Sequence, residues 1–83
     1  MSFTHKLKTW PRFFTDIKSG TKTFELRKYD RPFAVGDKLI LQEYDPETQT
    51  YTGREEIRLV TCLYTSDDLP FGIENGYCLM GVL

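Results

Sequence analysis

A glycine followed by seven residues of changing polarity, Gly20-Thr21-Lys22-Thr23-Phe24-Glu25-Leu26-Arg27, fixes where a helix can stop and what must follow it. Gly20 can take the left-handed backbone that ends a helix. From Thr23 onward polar and apolar side chains alternate with the period of a β-strand. Glu25 and Arg27 leave one face of that strand, while Phe24 and Leu26 leave the other and are expected to supply its apolar side. Lys22 stands at the entry bend, where its long stem can reach either face. A cation, an anion and a second cation therefore gather at one strand start. Such a set can hold a polar planar ligand, and it can equally form a surface ion-pair ladder.

The neighbouring segments read in the same terms. His5 to Leu7 forms a short opening strand. Thr9 offers a helix N-cap, and Pro11 falls in the first turn, where its missing N–H costs nothing. Phe13, Phe14 and Ile17 follow at helical spacing, which predicts a helix over 11–19 with one apolar stripe. The alternating strand runs over 23–29 and is broken by Asp30-Arg31-Pro32. Val35-Gly36-Asp37 turns the chain into a strand over 38–44, and Asp45-Pro46-Glu47-Thr48 turns it again. A long strand over 54–64 is placed to pair with 38–44 as an antiparallel hairpin with a long tip. Residues 65–76 form a loop, and Tyr77 to Val82 close the chain as an apolar strand. The fold class is mainly β with one or two helices (α+β). In so short a chain this order favours a curled or closed antiparallel sheet flanked or plugged by the helix. Closure also removes exposed edges.

Eighty-three residues make a single domain, 1–83, around one small core. A hydrophobic share of 40% with 28% charged residues argues against disorder. The formal net charge of −1 is unlike that of a domain held to a duplex by phosphate contacts alone. A nucleic-acid role therefore needs a local basic patch. One exists: Lys18, Lys22, Arg27, Lys28 and Arg31 lie close in sequence, with Lys6, Lys8 and Arg12 upstream, while most of the acids gather after Glu43. Cys62 and Cys78 sit in apolar runs and read as buried thiols. The Cys/His spacing offers no structural zinc site, and neither a metal nor a cofactor is expected. No apolar run approaches spanning length and no signal-type segment is visible, so no membrane partner is expected and the expected location is cytoplasmic.

The segment 20–27 resembles the G-x-K-x-x-E-x-R signature of ASCH domains, which have a PUA-like β-barrel fold. Further pieces resemble a small, mostly prokaryotic and phage-borne branch of that superfamily described only as a domain of unknown function. They are His5-Lys6-Leu7-Lys8, Lys22 to Asp30-Arg31, Val35-Gly36-Asp37, Glu43-Tyr44-Asp45-Pro46, Tyr51-Thr52-Gly53-Arg54 and Gly76-Tyr77-Cys78-Leu79-Met80-Gly81. They cover almost the whole chain in order. The resemblance implies a cleft between helix and signature strand that binds RNA or a nucleotide-like ligand, with Lys22, Glu25 and Arg27 lining it. Some ASCH proteins are amidohydrolases that deacylate modified cytidine, using a threonine nucleophile where this chain has Glu25. A carboxylate does not replace a hydroxyl in that mechanism. The resemblance thus favours a binding module, with amide hydrolysis of an acylated cytidine or a protein-interaction accessory as alternatives.

Each candidate residue has a chemical role and a structural one. Arg27 can clamp a phosphate or stack on a base, or pair with Glu25 or Asp16. Glu25 can accept from a base amine, or orient Arg27 and Lys22. Lys22 can bind phosphate as a point charge or serve as a base. His5 can assist proton transfer or act as a hydrogen-bonded structural residue. Lys8 adds a cation beside the helix start. Tyr29, like Trp10, can stack on a base or pack at the rim.

Overall fold

The computed structural model describes residues 2–83. Strand β1 (Thr4–Thr9) leads into helix α1 (Pro11–Lys18), followed by β2 (Phe24–Lys28), β3 (Lys38–Asp45), β4 (Thr50–Thr65) and β5 (Tyr77–Val82). Pro11 occupies the first helical position and holds the preceding Trp10 in extended backbone, with φ −64° and ψ 149°. Trp10 is therefore the N-cap, and it contributes no side-chain cap. The cap expected at Thr9 is corrected accordingly: Thr9 ends β1 and is buried. The helix buries Phe14 and Ile17 and stops one residue before Ser19. Gly20 follows with φ 82°, the left-handed turn that the sequence required.

The five strands form one sheet in the order β1-β3-β4-β5-β2. β1 and β3 pair in parallel, and every other pair is antiparallel. The sheet is thus mixed, not wholly antiparallel as expected. The reason is that α1 and β2 intervene between β1 and β3, giving the chain the length a parallel crossover needs. The β3–β4 hairpin is also tighter than its sequence promised. Tyr44 pairs with Tyr51 and Asp45 with Thr50, so β4 starts at Thr50 and not at Arg54. Gln49 turns the corner with φ 56°, and Asp45 Oδ1 accepts from Glu47 N at 2.9 Å.

Strand β4 pairs with β3 through Leu59 and with β5 from Val60 onward, with an irregularity between Val60 and Cys62. This hand-over curls the sheet and brings its two edge strands, β1 and β2, to face each other. They do not pair through their backbones. Two arginines span the seam instead: Arg27 Nη1 donates to Lys8 O and Arg31 Nη1 to Lys6 O, both at 3.0 Å. The sheet is therefore curled but open, which corrects the expectation of closure. Leu7, Ile17, Phe33, Leu39, Leu41, Val60, Cys78, Met80 and Val82 fill the interior. Each such side chain contributes on the order of 1.5–3 kcal/mol on burial.

One polar latch joins the start of β1 to the entry of β3. Asp37 Oδ1 accepts from Phe3 N at 3.0 Å, and Oδ2 accepts from Ala34 N at 3.0 Å and meets His5 Nε2 at 2.8 Å. Cys62 and Cys78 are free thiols. Among the described residues, no helix is long and apolar enough to cross a membrane.

Candidate ligand cleft

Strand β2 faces the opposite way from its apolar pattern. Glu25 is 2% exposed, whereas Phe24 is 50% and Leu26 59% exposed. The cause is register. Glu25 lies opposite Met80 and Arg27 opposite Cys78, both buried, while Phe24 lies opposite Gly81 and Leu26 opposite Leu79 on the outer side. The expectation that Phe24 and Leu26 form the core side is therefore wrong, and the charged face is the inner one. An edge strand tolerates this because its inward charges meet the open edge of β1 and each other.

The three signature side chains converge. Glu25 Oε2 accepts from Lys22 Nζ, and Glu25 Oε1 accepts from Arg27 Nε at 2.9 Å and lies 2.8 Å from Arg27 Nη2. Lys22 Nζ also donates to Phe24 O at 2.6 Å. Arg27 Nη2 lies 3.4 Å from Thr9 Oγ1, in addition to the Nη1 bond across the seam. A carboxylate offers about four lone-pair sites. With a donor already bound on each oxygen and Arg27 Nη2 close by, Glu25 acts first as the group that aims the two cations.

A cleft of about 440 Å³ opens beside this triad. Lys22, Glu25 and Arg27 supply its polar wall, with Lys8 and Thr9 from β1. Trp10, Phe13, Phe24 and Leu26 supply its apolar rim. The Trp10 and Phe13 rings stack 6.3 Å apart at 22°, and Trp10 is 52% exposed. Lys22 Nζ sits 4.9 Å from the centre of the Phe24 ring. The cleft can thus offer a planar polar molecule both an aromatic face and charged hydrogen-bonding partners.

The other candidates divide. Lys8 lines the cleft, with its Nζ 4.4 Å above the Tyr44 ring. His5 does not reach it: the ring is held between Asp37 and Phe33, with its centroid 4.7 Å from that of Phe33. Tyr29 donates to Phe33 O at 3.0 Å and lines neither this cleft nor the hollow next to it. Arg27 pairs with Glu25 and not with Asp16. Phe13, Phe24, Leu26 and Thr9 were missed as lining residues. The sequence signal nearest to them was Trp10 beside the helix start, an aromatic able to stack on a base or pack at the rim.

A third buried carboxylate, besides Glu25 and Asp37, also escaped the sequence. Glu43 accepts from Arg54 Nε and Nη2, each at 2.9 Å, and from Thr52 Oγ1 at 2.7 Å. Here Thr52-Gly53-Arg54 bulges around Glu43, because Gln42 pairs with Glu55 but Tyr44 with Tyr51. Gly53 takes φ 94° in that bulge. Arg54, then Thr52, hold the Glu43 carboxyl below its ordinary value against the opposing effect of burial. The Phe3 N–H bond, aided by His5 and Ala34, does the same for Asp37. Burial, with the charge of Asp30, raises the Cys78 thiol. Among the described residues no group of three or more His, Cys, Asp or Glu side chains is placed to hold a metal ion.

The family model for a domain of unknown function (DUF3850) matches residues 4–82. No curated protein matches the chain.

Proposed function

Because the chain belongs to the DUF3850 family, whose description assigns no activity, we propose from the cleft itself that this domain binds RNA or a nucleotide-like ligand. The observation that carries the proposal is the convergence of Lys22, Glu25 and Arg27 on one wall of a hollow rimmed by Trp10, Phe13 and Phe24. Exposed rings beside fixed cations suit a base with its attached phosphate. The same proposal assigns the curled sheet to the PUA-like type and the chain to the ASCH superfamily. Its support is that the signature residues stand together at a helix-side cleft.

Binding is favoured over amide hydrolysis of an acylated cytidine. Glu25 stands where those relatives carry a hydroxyl, and both of its oxygens are already engaged by Lys22 and Arg27. The hydroxyl that does line the cleft, that of Thr9, is buried beside Arg27 Nη2. Among the described residues its side-chain hydrogen-bond partner is the Arg27 guanidinium, a donor and not a base.

Trp10 is the one tryptophan of the chain, so its fluorescence reports directly on this cleft. Titration with the four ribonucleoside 5′-monophosphates is expected to quench it saturably for at least one base. Trp10→Phe removes the signal, and calorimetry of Trp10→Ala is expected to show binding about tenfold weaker or more, the loss of one stacking partner. Saturable binding that is unchanged in Trp10→Ala and Phe24→Ala places the ligand elsewhere and rejects the cleft.

A further inference from the structure

Next to the ligand cleft lies a second hollow of about 390 Å³, entered across the same seam. Lys8 and Arg27 line both spaces, so the two adjoin along one groove between the edges of β1 and β2, with the Arg27–Lys8 bridge at the residues they share. Their chemistry differs sharply. The first is rimmed by rings, whereas the second is walled by Lys6, Lys28 and Arg31 in addition to the two shared cations. Across the whole groove Lys6, Lys8, Lys22, Arg27, Lys28 and Arg31 face only Glu25 and Asp30, on a chain whose net charge is −1. The cations of this molecule are thus concentrated along one seam.

Lys22 and Arg27 are committed to Glu25, but the other four are available. Among the described residues neither Lys6, Lys8 nor Lys28 forms an ion pair with a carboxylate. Arg31 reaches Asp30 only at 3.9 Å and spends one donor on Lys6 O, leaving most of its fork unused. Tyr51, half-exposed, stands on the wall of the same hollow.

Resting on the reading of the first cleft as a base site, we infer that the second hollow is a phosphodiester subsite for single-stranded RNA. A base enters among Trp10, Phe13 and Phe24, and the flanking phosphates run along the seam past Lys8 to Lys6, Lys28 and Arg31. The ligand is accordingly a strand segment and not a free nucleoside. Lys6 and Lys8, alternate exposed residues of β1, match a backbone carrying one charge per nucleotide, and the RNA strand lies over the two arginine bridges of the seam.

The test compares a mixed-sequence pentaribonucleotide with the ribonucleoside monophosphates, read by Trp10 fluorescence in the native chain and in Lys6→Glu/Lys28→Glu. Both lysines are exposed and, among the described residues, their side chains make no hydrogen bond or ion pair, so the variant keeps its fold, which circular dichroism checks. The pentamer is expected to bind at least about tenfold more tightly than the best monophosphate. In the double variant that advantage is lost, and the log–log salt slope flattens by about 1.4, near 0.7 for each phosphate contact on a single strand. Monophosphate quenching stays unchanged. A pentamer that binds no more tightly, a double variant without effect, or equal displacement by pentaglutamate overturns the subsite while leaving the base cleft standing. Failure of every nucleotide and of the pentamer to quench Trp10 overturns both.

Discussion

At Glu25 a carboxylate sits almost out of reach of water with Lys22 on one oxygen and Arg27 on the other. Its partners are mostly buried too. Removing the anion leaves two cations facing each other across an interior position, a change that commonly costs 3–5 kcal/mol. Because Lys22 and Arg27 keep some access to solvent, Glu25→Ala is expected at the lower end, about 3 kcal/mol less stable by urea denaturation. A loss below about 0.5 kcal/mol, the range of an exposed pair, contradicts the buried triad. The sequence grouped these three residues and put Glu25 and Arg27 on one face, leaving Lys22 free to reach either. It could not say that this face is the inner one, because alternation defines two faces and only the register against Met80 and Cys78 chooses between them.

The elements show where a local pattern suffices and where it does not. Helix α1 was legible to within one residue, read over 11–19 and found over Pro11–Lys18, because its proline start and glycine stop are written in nearby residues, although its cap is Trp10 and not Thr9. The hand-over of β4 from β3 to β5 was not, since it depends on partners far apart in sequence. Gly81 marks the tight place in that arrangement. A Cβ at this position meets Cys62 Sγ at 2.6 Å and Thr61 Oγ1 at 3.1 Å. Gly81→Ala is therefore expected to cost about 1 kcal/mol from overpacking. Cys62→Ala in the same chain should recover most of it. Thermal melts of the two single variants and the double variant measure the coupling, and simple additivity excludes a clash between these two residues.

For the whole molecule, Asp37 latches β1 to the entry of β3 and Glu43 fastens the β3–β4 hairpin, and the titration of both shapes stability in acid. Asp37 and Glu43 are both held below their ordinary values in the folded chain. Each therefore binds protons more readily when unfolded. Their contribution is complete above the unfolded values, near 3.9 and 4.3, and is lost as pH falls through them towards the folded ones. Melting temperature is expected to be nearly flat above about pH 5 and to drop below it. Asp37→Asn should melt lower at pH 7 and show a shallower acid limb; an acid limb as steep as that of the native chain removes Asp37 as a cause. Residues adjacent in the chain settled the helix, its glycine stop, the strand periodicities and the charge triad, because turns, caps and alternation act over a few positions. Which face of β2 turns inward, the parallel pairing of β1 with β3, the bulge that closes on Glu43 and the open seam where scattered lysines and arginines meet were decided only by tertiary structure, because each depends on contacts between segments whose spacing the sequence does not encode locally.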